Sequence, residues 1–215
     1  MSFLDQLKTQ AKALQAERAH VEQDLTERTS LTERAGRQVL SYLQDLARQL
    51  SVIEPDGPAF TLDGKTPWPA MKLIDFRVDA RRKALRGKEV LDYVAMGWLV
   101  VPKTGSPVRG VVAVNFPTDM RRVEDRLMMG PVWHDRREVR DLANNALKEV
   151  HYEYETQTRG SVVATLDHDQ GLIRFRLLNT VGFDITHTSL PALRASNEVL
   201  DELAKRIVGQ PNRFT

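Results

Sequence analysis

The chain contains no cysteine, which excludes disulfides, thiolate nucleophiles, cysteine-ligated zinc and iron–sulfur clusters. It has no excess of charge of either sign. Its 31 basic side chains stand against 29 acidic ones, for a formal net charge of +2, so no global field draws it to nucleic acid or to an anionic membrane surface. It also lacks a long apolar run. The longest, Tyr93 to Val101, falls well short of the ~20 residues needed to cross a bilayer, and the amino terminus meets an acid at Asp5 before any apolar core of a secretory signal develops. These absences predict a cytoplasmic protein without membrane insertion. Gly-x-Gly-x-x-Gly, Walker A, His-Glu-x-x-His and Gly-x-Ser-x-Gly motifs are missing too, which removes the local signatures of nucleotide binding, zinc proteolysis and serine esterase chemistry. A site assembled from distant residues is not excluded in this way. No cofactor is expected, and a non-catalytic role is the preferred reading.

What is present is ordinary globular material: 41% hydrophobic and 28% charged residues in 215, enough to bury a core without staples. No proline precedes Pro55. In that stretch Leu4, Leu7, Ala11, Leu14, Val21 and Leu25 recur at alternating spacings of three and four, interrupted at Arg18, which is one face of a helix. A second stripe follows in Ala35, Val39, Tyr42, Leu43, Leu46 and Leu50. Between them, Ser30-Leu-Thr-Glu33 has the form of a capping box. The expectation is an arm over residues 1–50 made of two helices broken near Thr26 to Ser30, preferred to one continuous helix. Residues 3–50 carry seven acids and seven bases, so the arm is suited to packing or association rather than to binding nucleic acid.

Residues 51–70 hold Pro55, Pro58, Pro67 and Pro69 and read as a linker that crosses the surface, with Trp68 pinned between its flanking prolines and the domain. From residue 71 to 215 the period changes to two. Strands are expected at Met71 to Val78, Val90 to Val101 and Val108 to Phe116 as an antiparallel meander, then a helix ending at Gly130-Pro131. Residues 131–146 read as a loop plus a short helix. Further strands follow around Val150 to Tyr154, Val162 to Leu166, Ile173 to Leu177 and Phe183 to Ile185. Turns are expected at Thr158 to Gly160 and Asp167 to Gly171, with a last helix from Leu193 to Val208. The fold class is α+β: a helical arm, then an antiparallel domain of about seven strands and two packing helices. Strands followed by a helix, twice over, suggest a degenerate internal repeat.

Three groups of residues invite functional readings. His151, Glu153 and Glu155 share one face of a strand, a donor set suited to a metal ion or to acid/base work, with His168 or His187 as a second imidazole. The bland alternative is a solvated charge ladder with Arg174 and Arg176 as cross-strand partners, and it is preferred. Arg81, Arg82, Lys83 and Arg86 fall in a basic stretch between two expected strands, a candidate phosphate or nucleic-acid grip, or simply a solvated hairpin tip. Leu4, Leu7, Leu14, Val21, Leu25, Val39, Leu43 and Leu46 form the candidate association surface. The leading expectation is self-association, or binding of a protein partner, through the arm. One alternative is a small-molecule or lipid carrier whose curved sheet closes over Met96, Trp98 and Phe175. A second is an enzyme or metal protein centred on His151.

Overall fold

The computed structural model describes residues 3–214. Its first element is one unbroken helix, α1 (Phe3–Ile53), of 51 residues and about 77 Å at 1.5 Å per residue. The break expected at Thr26 to Ser30 does not occur. The hydroxyls of Thr26 and Thr29 donate back to the carbonyls of Glu22 and Leu25, so these polar residues sit on the helix surface without competing for its backbone. Glu33 does not cap Ser30 but accepts the backbone N–H of Leu91, 58 residues away. Helix α1 stops where Glu54 takes φ 46° and Pro55 follows, because proline cannot continue the hydrogen-bond ladder.

Among the described residues, eight strands form two antiparallel sheets. The larger has the order β1 (Met71–Leu85), β2 (Lys88–Pro102), β6 (Thr158–Asp167), β7 (Leu172–Leu178), β8 (Ile185–Pro191). The smaller has β3 (Arg109–Val114), β5 (Leu147–Glu155), β4 (His134–Arg140). The α+β class and the antiparallel pairing agree with the sequence pattern. The simple meander does not. After the β1–β2 hairpin the chain leaves for the second sheet at β3, and it returns through β5 into β6, so Thr158 and Gly160 lie inside a strand rather than in a turn. Each sheet joins strands from both halves of the expected repeat, β1 and β2 beside β6, β7 and β8 in the larger and β3 beside β5 and β4 in the smaller, so neither half forms a unit of its own. Residues 134–140, expected as loop and short helix, form β4, the charged edge of the smaller sheet.

Packing follows from alternation. On β2, Val94, Met96, Trp98 and Val100 are buried while Ala95, Gly97 and Leu99 between them are half-buried on the other face. The second half of α1 lies on this inner face through Ala35, Val39, Leu43, Ala47 and Leu50. Helix α3 (Asn197–Ile207) lies beside it, inserting Leu200, Leu203 and Ile207, and Phe214 packs edge-on against Phe175. Helix α2 (Pro117–Met129) starts on a proline, whose missing N–H costs nothing there, and contributes Val123 and Leu127. The stretch 51–70 is not a surface linker. Phe60, Leu62 and Trp68 are buried, and Trp68 stacks on Tyr154 of the smaller sheet at 5.7 Å between ring centres. Both sheets, α1 and this stretch therefore share one hydrophobic core.

Candidate functional site

The two halves of α1 differ in what they touch. From Arg28 onward the helix is tied to the body: the Arg28 guanidinium donates to the Asp169 carbonyl, and Arg86 donates to the Thr29 hydroxyl. Before that point every side chain from Phe3 to Gln23 is exposed. The candidate association residues consequently divide. Val39 and Leu43 are fully buried in the body's own core and Leu46 packs against it. Leu4, Leu7, Leu14 and Val21 are 45–58% exposed, as is Phe3 at 75%, and Leu25 is half-buried. About 39 Å of helix, residues 3–28, thus carries an apolar stripe that its own chain does not cover.

The docked half is held closely. A side chain at Gly36 would place its first carbon 2.2 Å from a methyl of Leu166, so glycine there lets α1 approach the sheet. The Glu33 carboxylate, 8% exposed, accepts from the Leu91 N–H at 2.8 Å beside the β1–β2 irregularity at Arg81/Arg82, and pairs with Arg37 and Arg82. Tyr42 donates to Asp201 of α3 at 2.6 Å, and burial together with that acceptor pushes its phenol well above the usual range. Sequence spacing placed Glu33 in a local cap; its long-range role carries no local signal.

The smaller sheet does bring His151, Glu153 and Glu155 onto one exposed face. The expected partners are wrong, because Arg174 and Arg176 lie in the other sheet and Arg174 pairs with Asp167. Instead Arg109 on β3 pairs with Glu153 and Glu155, and His151 Nε2 meets Glu149 at 2.7 Å. His168 and His187 also belong to the larger sheet and its turn, and His168 is buried against the Leu91 carbonyl. Among the described residues no group of three or more His, Asp or Glu is placed to hold a metal ion.

Arg81, Arg82 and Lys83 do not sit in a loop. Strand β1 runs to Leu85, and the hairpin turn is Arg86-Gly87, with φ of 50° and 74°, the conformation of a two-residue hairpin that matches strand twist. The cations then scatter: Arg82 reaches Glu33, Lys83 pairs with Asp92 at 2.8 Å, and Arg86 pairs with Asp169. A phosphate grip would need these groups to converge, and they diverge to separate acids.

The carrier reading meets the core as well. Met96 and Phe175 are 0–1% exposed and packed among core residues. Two concavities are surface grooves, one of about 650 Å³ between α1 and β1 and one of about 510 Å³ bordered by Trp98 and Gly160. The turn Asp167 to Gly171 is a hairpin turn, with Asp167 accepting from the Gln170 N–H and Gly171 at φ 68°. No family model matches the chain, and no curated protein or solved structure is similar to it. The functional reading rests on its own surface. Among the described residues no helix is long and apolar enough to cross a membrane.

Proposed function

We propose that this protein acts by association, as a non-catalytic cytoplasmic module that joins another copy of itself or a protein partner through the projecting part of α1. The observation that carries this reading is the exposed stripe Leu4, Leu7, Leu14, Val21 on a helix that stands clear of the body. Helical stability in proteins comes mainly from packing an apolar face, and the body offers this face no such packing. The cysteine-free composition supports a reducing compartment.

The test is sedimentation of the full chain across a concentration series, beside the variant Leu7→Ser, Leu14→Ser, Val21→Ser. All three side chains are exposed, so the variant folds. The parent is expected to gain mass with concentration, or with the partner added, and the variant to stay monomeric. A parent that sediments as a monomer throughout, or a variant that associates equally well, contradicts the proposal.

A further inference from the structure

We infer that the partner of the arm is a second copy of this chain, and that the two arms pair antiparallel as a two-stranded coiled coil. This rests on the association reading above and adds the occupant and its direction.

The first argument is the repeat along one continuous helix. In the free half Leu4, Leu7, Ala11, Leu14, Arg18, Val21 and Leu25 alternate three and four without exception. The same repeat continues into the docked half as Ala35, Val39, Tyr42 and Leu46, where the body covers it. A seven-residue repeat keeps its seam facing another helix once the two supercoil, so the uncovered stripe fits a second helix.

The second argument is charge. In the free arm, residues 3–28, the first half carries Lys8 and Lys12 against Asp5, while the second carries Glu17, Glu22, Asp24 and Glu27 against Arg18 and Arg28. An arm with a basic first half and an acidic second half is complementary to a reversed copy of itself. Side by side in the same direction, like halves meet. Arg18, at a seam position, would then face Arg18 of the partner subunit, and Glu17 would flank Glu22 of the partner subunit, both repulsive.

Reversed, the register that uses the whole free length sets Leu7 against Leu25 of the partner subunit and Ala11 against Val21 of the partner subunit. Lys8 then lies across from Glu22 of the partner subunit, twice by symmetry. Arg18 then faces Leu14 of the partner subunit instead of its own copy, and the two Glu17 side chains flank each other about a two-fold axis near Ala16, the one like-charge contact of this register, with both Arg18 side chains beside them. Leu4 comes level with Arg28 of the partner subunit, where the free helix meets the body.

The absence of cysteine makes the test direct. Single variants Thr9→Cys, Ala16→Cys and Gln23→Cys of the full chain place one spin label on the face of the arm away from the seam, and distances between labels are measured in the dimer. The expected result is the shortest distance at residue 16. Residues 9 and 23 should each be displaced by about 21 Å further along the axis, fourteen residues at 1.5 Å, and mixed 9- and 23-labelled chains should restore the short distance. A dimer with equal distances at all three positions is parallel; it overturns this inference and leaves the association reading standing. A monomer with no intermolecular distance overturns the inference together with self-association. Leu7→Asp with Leu14→Asp should weaken the dimer at least about 100-fold while the helical signal of the body persists; an unchanged dimer places the contact elsewhere and also overturns it.

Discussion

Several single residues hold the body in shape, and each makes a sharp prediction. At Gly130, which follows α2, an added carbon would lie 2.0 Å from the Thr158 hydroxyl and 2.4 Å from the Asn179 amide nitrogen. Thr158 donates to the Gly130 carbonyl at 2.8 Å, and Asn179, held at φ 56°, donates to the Arg159 carbonyl. Gly130→Ala must push this bonded cluster apart and should cost about 1–3 kcal/mol, read as a lower denaturant midpoint at unchanged slope. Glu33 accepts the buried Leu91 N–H, which its loss would leave without a partner, so Glu33→Ala should cost about 1–3 kcal/mol. Glu33→Gln, which keeps an acceptor for the Leu91 N–H, should cost less; equal losses for the two variants would argue against that hydrogen bond as the cause. Asp63 is held low for a local reason. Burial raises its carboxyl, but the backbone N–H groups of Thr66 and Lys65 and the hydroxyls of Thr66 and Thr61 outweigh burial and bring it down to about 2, from an ordinary 3.8. Because the folded value lies below the unfolded one, the contribution is fully present above pH ~4 and fades as pH falls toward 2. Asp63→Asn should flatten the acid limb of the stability profile, and a profile superimposable on the parent's would refute the assignment.

At the scale of elements, α1 is one helix with two environments, and its two halves should respond unequally to the same kind of mutation. Leu43→Ala removes a fully buried side chain and should cost about 2–5 kcal/mol. Leu14→Ala removes one that is 52% exposed and should leave the stability of the isolated body within about 0.5 kcal/mol. Thermal unfolding of both variants at low concentration measures the contrast. The apolar repeat made the helix and its packing face legible, and alternation made most strands legible, because both periods are written in adjacent residues. The continuity of α1 was obscured by Ser30 and Glu33, whose cap-like spacing competes with a tertiary bond that no local pattern reveals. Strand β4 was obscured for a related reason: His134 to Arg140 is an edge strand with five charged residues in its seven, and Glu138 is satisfied by Arg136 and Arg140 within the strand itself. The prolines at 55–69 read as a linker, yet the buried rings of Phe60 and Trp68 between them are what the two sheets share.

At the scale of the whole molecule, the body is closed and the arm is open. One core unites the docked half of α1, both sheets, α2 and α3, while the groups that sequence alone offered as sites are absorbed by that architecture. His151, Glu153 and Glu155 form part of a charge ladder with Arg109 and Glu149, and Arg82, Lys83 and Arg86 of the β1–β2 hairpin each reach a different acid. What the body does not satisfy is the stripe from Leu4 to Leu25. The central claim, that this stripe is covered by association and not by the chain's own fold, is tested most directly by amide hydrogen exchange over residues 8–25 as a function of protein concentration. In the dimer these amides should be protected, and their protection should fall as dilution frees the arms, while amides of 39–50 stay protected at every concentration. Protection in the arm that does not change with concentration, at either a high or a low level, would contradict the account.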